Sequence, residues 1–144
     1  MQAFKIQGGV KLSGDVTPQG AKNEALQIIC ATLLTPEEII IKNIPDIIDI
    51  NKLISLLISL GVKVKKLKPN TFSFKADDVN LDYLNSEKFK IDGKSLRGSI
   101  MIVGPLLARF GKAYIPRPGG DKIGRRRLDT HFEGLIKLGA KFTY

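Results

Sequence analysis

Hydrophobic and polar positions change their period several times along this 144-residue chain, and each change predicts an element. Residues 2 to 12 alternate, as a strand does, with Gly8-Gly9 marking a bulge or a close backbone approach inside it. After Gly20 the spacing turns helical: Ala25, Ile28, Ile29, Thr32 and Leu33 share a face until Pro36 stops the run. Glu38 to Asn43 then reads as a β-branched strand. Asp49 is placed to cap a second helix, in which Leu53, Leu56, Leu57 and Leu60 follow i, i+3, i+4, i+7 spacing and Gly61 supplies the stop. Two short strands follow, Val62 to Leu67 and Thr71 to Ala76, separated by the turn composition Lys68-Pro69-Asn70.

The order then begins again. Ser95 to Phe110 is another apolar helix, Lys112 to Arg117 another strand, and Leu128 to Leu138 another helix ending at Gly139. Leu57-Ile58-Ser59-Leu60-Gly61-Val62-Lys63 aligns with Leu135-Ile136-Lys137-Leu138-Gly139-Ala140-Lys141, 78 positions on, with five of the seven pairs identical. Earlier in each unit the spacing is 73: Leu33-Leu34 matches Leu106-Leu107, and Pro45 matches Pro118. The second copy therefore carries extra residues between its strand and its final helix. They fall within Gly119-Gly120-Asp121-Lys122-Ile123-Gly124-Arg125-Arg126-Arg127, the most charged and glycine-rich stretch of the chain.

Composition narrows what such a connector does. With 43% hydrophobic residues the chain is expected to bury one ordinary core. The longest apolar run, Ile100 to Ala108, is broken by Gly104-Pro105 and is far short of the roughly 20 residues that span a bilayer. The N-terminus shows no secretory pattern, so a cytoplasmic protein is expected. The single Cys30, among Ile28, Ile29 and Ala31, reads as an inert core thiol that suits a reducing compartment. A net charge of +9, from 23 Lys and Arg against 14 Asp and Glu, points to an anionic partner. A stand-alone basic RNA-binding module is the competing reading. RNA surfaces add exposed aromatics for stacking, and here aromatics are 7% with no Trp, while the basic residues concentrate in one loop.

A charge run alone would read as a solvated surface loop. Paired glycines, one acid among bases and a helix starting just beyond instead describe a cradle for phosphates made of backbone and arginine. The earlier helices repeat the logic, with Lys22-Asn23 at the start of one and Arg97 at the start of another. A cation beside a helix's positive end is disfavoured unless an anion compensates it.

Four segments carry a family resemblance: Gly20-Ala21-Lys22-Asn23-Glu24-Ala25-Leu26, Leu96-Arg97-Gly98-Ser99-Ile100, Gly104-Pro105-Leu106-Leu107-Ala108-Arg109-Phe110-Gly111, and Pro118-Gly119-Gly120 through His131. In these, and in this order, the chain resembles the UDP-N-acetylglucosamine enolpyruvyl transferases. The sister family acting on shikimate phosphate differs at the first lysine motif. The resemblance implies an α/β (α+β) fold of repeated βαβαββ-type units, as in the inside-out α/β barrel of enolpyruvyl transferases, incomplete here. Residues 1 to 19 would be an N-terminal strand segment packing with a second domain absent from this chain, and 20 to 144 the first domain, truncated in its second repeat.

The activity implied is transfer of the enolpyruvyl group of phosphoenolpyruvate to the 3′-hydroxyl of UDP-N-acetylglucosamine with release of phosphate, the first committed step of peptidoglycan synthesis. No cofactor or metal is implied, and no nucleic-acid or membrane partner. By resemblance Lys22 and Asn23 hold phosphoenolpyruvate, the lysine through its phosphate, and Arg97 lines the same anionic site. Arg126, Arg127, Leu128, Asp129 and Thr130 occupy the UDP-sugar stretch, with Lys122, Arg125 and His131 in or beside it. Asp121 stands where most members carry the cysteine that fosfomycin alkylates. It is the candidate acid at C3 of phosphoenolpyruvate, although the neighbouring bases oppose the raised pKa that this role requires. The family's general base belongs to the second domain, so the chain by itself is expected to be inactive and prone to self-association.

Overall fold

The computed structural model describes residues 3–114 and 127–143. Its elements run α1 (Lys22–Ala31), a 3-10 turn (Thr32–Leu34), β1 (Glu38–Lys42), α2 (Ile48–Ser59), β2 (Lys63–Lys68) and β3 (Thr71–Lys75). A 3-10 turn (Leu81–Asn85), α3 (Glu87–Lys94), a 3-10 helix (Arg97–Ile102), α4 (Val103–Phe110) and α5 (Asp129–Lys137) follow. The fold is therefore mixed helix and strand.

The three strands form one antiparallel sheet in the order β1-β3-β2. Strand alternation puts Ile39, Phe74 and Val64 in one cross-strand row and Ile41, Phe72 and Lys66 in the next. This is the face that meets the helices: Phe74 is fully buried, and Ile41, Val64 and Phe72 pack against the core. The opposite face is basic, with Lys42, Lys63, Lys65, Lys68 and Lys75 on it. Asp77 joins the end of this face, bonded to Lys63 and Lys75, and the Lys63 hydrogen bond holds its carboxyl below the usual range. Between β2 and β3 the turn is Pro69-Asn70, with Asn70 in the left-handed region that asparagine tolerates.

Leu53, Leu56, Leu57 and Leu60 are all buried to within 2% exposure, so the leucine stripe of α2 forms the middle of the core as its spacing requires. Each such side chain stabilises the fold by roughly 2 kcal/mol relative to exposure. On α1 the buried stripe runs through Ala25, Leu26, Ile29 and Cys30 and on to Thr32 and Leu33. Ile28, expected on that face, is 43% exposed because Leu26 and Cys30 occupy the inward positions.

The stop at Gly61 shows in full why a glycine is needed. Its φ is +97°, its N–H donates to the Ile58 carbonyl at 2.9 Å and the Val62 N–H to the Leu57 carbonyl at 3.0 Å. Gly139 repeats this bond for bond: φ +97°, its N–H to Ile136 at 2.9 Å and the Ala140 N–H to Leu135 at 3.0 Å. The heptapeptide match is thus a match of helix-stop geometry.

Several expectations are corrected. Residues 3 to 12 form no strand: no neighbouring segment pairs with them among the described residues, and Phe4, Ile6 and Leu12 stand 89–97% exposed. Asp49 is not the cap of α2; Ile47 holds that position without a side-chain bond, and Asp49 lies in the first helical turn. The helix expected over 95–110 is divided. Pro105 has no N–H and its ring crowds the carbonyl of Met101, so regular α-structure reaches back only to Val103 and the preceding residues wind as 3-10. Of the expected strand at 112–117, residues 112–114 are not strand and the remainder lie outside the described residues. The sequence reading also passed over α3, although Ser86 caps it by accepting from the Phe89 N–H at 3.1 Å.

Candidate functional site

Gly20 brings the chain into α1. A side chain there would run into the Asn43 carbonyl oxygen, so only glycine lets this segment pass the end of β1 and begin the helix beside α2. Lys22 and Asn23 are then the first two residues of α1. Lys22 Nζ bonds Asp49 Oδ2 at 2.9 Å, joining the first turns of α1 and α2. The cation at the α1 start therefore has a carboxylate partner within the chain. Both side chains of the pair remain well exposed, so the lysine still faces solvent beside its partner.

Arg97 opens the 3-10 helix Arg97–Ile102 rather than an α-helix. Gly98 directly behind it faces Leu26, whose methyls would lie 3.1 and 3.2 Å from an added Cβ, so the two segments are in close contact. Arg109, from the third motif, stays out of the site: its guanidinium donates to the carbonyls of Leu33 at 3.0 Å and Ala76 at 2.8 Å, tying α4 to the ends of the α1 and β3 segments.

Before α5, the Arg127 Nε donates to the Asp129 carboxylate in the helix's first turn. Leu128 occupies the cap position.

These pieces meet in one open cleft of about 460 Å³. Lys22, Asn23, Arg97, Arg127 and Leu128 all line it, and His131 does too. The starts of α1, α2, α5 and the Arg97–Ile102 helix border the same space, so their positive dipole ends and several cationic side chains gather around it. Asp129 and Thr130 begin α5 and are not part of the lining. Asp121, Lys122, Arg125 and Arg126 lie outside the described residues.

The sequence reading missed Gln27, Asp49, Lys52 and Ser95, which complete much of the wall. Asp49 was legible only as a helix-start residue, since its pairing with a lysine 27 positions away depends on how two helices pack. No local motif marks Lys52 either.

Comparison with known proteins gives two findings. Residues 6–144 match the family described as EPSP synthase (3-phosphoshikimate 1-carboxyvinyltransferase). The chain is also 62% identical, over all of its 144 residues, to a protein of Bacteroides thetaiotaomicron named UDP-N-acetylglucosamine 1-carboxyvinyltransferase. Identically named proteins of Porphyromonas gingivalis and Borreliella burgdorferi are 58% and 43% identical over 100% and 99% of the chain. In each case the chain spans about a third of the relative's length, 32–33%.

Proposed function

From the premise that the chain belongs to the EPSP synthase (3-phosphoshikimate 1-carboxyvinyltransferase) family, we propose that its cleft is part of the active site of an enolpyruvyl transferase acting on UDP-N-acetylglucosamine. The observation that carries this reading is the meeting of Lys22, Arg97 and Arg127, from three separate segments, around one cleft. Both proposed substrates are polyanions, and cations that share one space neutralise charge while holding reacting groups together.

In the proposed reaction the sugar 3′-hydroxyl attacks C2 of phosphoenolpyruvate, C3 takes up a proton, and phosphate leaves from the tetrahedral adduct. Lys22 and Asn23 take the phosphoenolpyruvate end, with Arg97 beside them. The Arg126-to-Thr130 stretch takes the UDP-sugar, and Asp121 delivers the proton to C3. The reaction is the first committed step of peptidoglycan synthesis and takes place in the cytoplasm. The repeated units continue into a barrel in this proposal, and a second domain completes the site. Phe4, Ile6 and Leu12, like Leu138 at 86% exposure, belong to surfaces covered by further parts of that assembly; without them the chain self-associates.

In the complete enzyme, Lys22→Ala and Arg97→Ala are expected to lower kcat/KM by at least about 100-fold while circular dichroism shows the fold retained. Near-normal turnover by both variants would defeat the assignment. Asp121 also removes the soft thiolate that fosfomycin alkylates. The unaltered enzyme is expected to keep its activity through prolonged fosfomycin exposure and Asp121→Cys to lose it; rapid inactivation of the unaltered enzyme would contradict this. The RNA-binding alternative gains no stacking platform from the basic sheet face, because Phe72 and Phe74 lie on the opposite, helix-facing side.

A further inference from the structure

Lys52 stands three residues after Asp49 on α2, and its side chain reaches across to the segment before the Arg97–Ile102 helix. There its Nζ lies 3.4 Å from the Ser95 carbonyl oxygen, at the outer limit of a hydrogen bond. A carbonyl is neutral, so water rather than a counter-charge balances this exposed ammonium. Asp49, which i, i+3 spacing makes the natural helix partner, is engaged by Lys22 instead. Asp129 is likewise engaged by Arg127. Among the described residues no carboxylate forms an ion pair with Lys52.

Its position is as informative as its pairing. Lys52 and Ser95 border the cation-lined cleft on one side and, on the other, a second hollow of about 450 Å³ between α2 and α3, whose carboxylate Asp92 is engaged by the Tyr83 hydroxyl. The ammonium therefore sits at the edge shared by the two spaces. One of its three donors points to Ser95, which leaves two for a ligand.

We infer that Lys52 is an additional anion contact of this site, one that binds the second charged group of a ligand whose first phosphoryl group is held by Lys22. The ligand class is a diphosphate, or a phosphate ester carrying a further anionic group. This rests on reading the cleft as a site for phosphorylated ligands. It assigns to α2 a specificity role that favours doubly charged over singly charged anions.

The test is calorimetric titration of the chain with inorganic pyrophosphate and with inorganic phosphate, using Lys52→Ala, Lys52→Arg, Lys22→Ala and, as a remote charge control, Lys68→Ala. Lys52→Ala is expected to weaken pyrophosphate binding roughly fivefold, the scale of one partly exposed ion pair, with a smaller effect on phosphate. Lys52→Arg should recover most of the loss, and Lys68→Ala should stay within about twofold of the unaltered chain. Unchanged binding by Lys52→Ala alongside weakened binding by Lys22→Ala would overturn the inference and leave the anion-site reading intact. Equal losses in Lys52→Ala and Lys68→Ala would also overturn it, since the effect would then be net charge alone. Binding of neither anion by the unaltered chain would overturn the inference, while the enolpyruvyl transferase reading stands or falls on the Lys22→Ala and Arg97→Ala turnover of the complete enzyme.

Discussion

Single residues divide between those whose role follows from neighbours in sequence and those defined by distant partners. Cys30 is of the first kind. Its apolar neighbours mark a core thiol, and it is 1% exposed, with burial pushing its pKa from 9.0 up to about 12. Two consequences follow from that burial. The native thiol should resist a disulfide reagent at pH 8 and react only at the rate of unfolding, so fast stoichiometric labelling of the folded chain would contradict the assignment. Stability should also fall as pH rises from 9 towards 12, because the unfolded thiol loses its proton over that interval while the buried one keeps it. Denaturation midpoints measured across this range check the sign. Lys22 is of the second kind: sequence places it at a helix start, but only the packing of α1 on α2 reveals Asp49 as its partner.

Elements were legible where one signal dominated. The leucine period of α2, the hairpin of β2 and β3 and the stop at Gly61 all form within a residue or two of their expected bounds. Between residues 95 and 110 the apolar positions read as one helix, yet Pro105 divided the segment, because backbone chemistry outweighs hydrophobic pattern at that position. The N-terminal segment failed as a strand for another reason: alternation specifies which face would be buried but cannot supply a partner strand. Arg109 shows how elements are joined once formed. Its two bonds satisfy carbonyls at the ends of two other segments, and its guanidinium lies 4.8 Å from the Phe110 ring centre. Arg109→Met keeps much of the apolar stem but strands both carbonyls, and should cost about 2 kcal/mol in urea unfolding. A loss near zero would show that water replaces the guanidinium freely.

At the scale of the molecule, the internal repeat was visible as a sequence match, and its helix stops coincide bond for bond. The two copies nevertheless differ in burial. Leu60 is fully buried and Leu138, its counterpart, is 86% exposed, so sequence equivalence does not carry equal packing. Packing brings the starts of α1, α2, α5 and the Arg97–Ile102 helix to one cleft, so residues as far apart as Lys22 and Arg127 share a common wall. The motifs predict a meeting of Lys22, Arg97 and Arg126, of which Arg126 lies outside the described residues, whereas no motif carries Asp49 or Lys52 into the wall. The most direct measurement is a two-dimensional NMR titration of the chain with UDP-N-acetylglucosamine. Saturable shifts are expected at Lys22, Asn23, Arg97, Gly98 and Leu128, weakened in Arg97→Ala. Shifts confined to the lysine face of the sheet, or no saturable shift at any concentration, would contradict it.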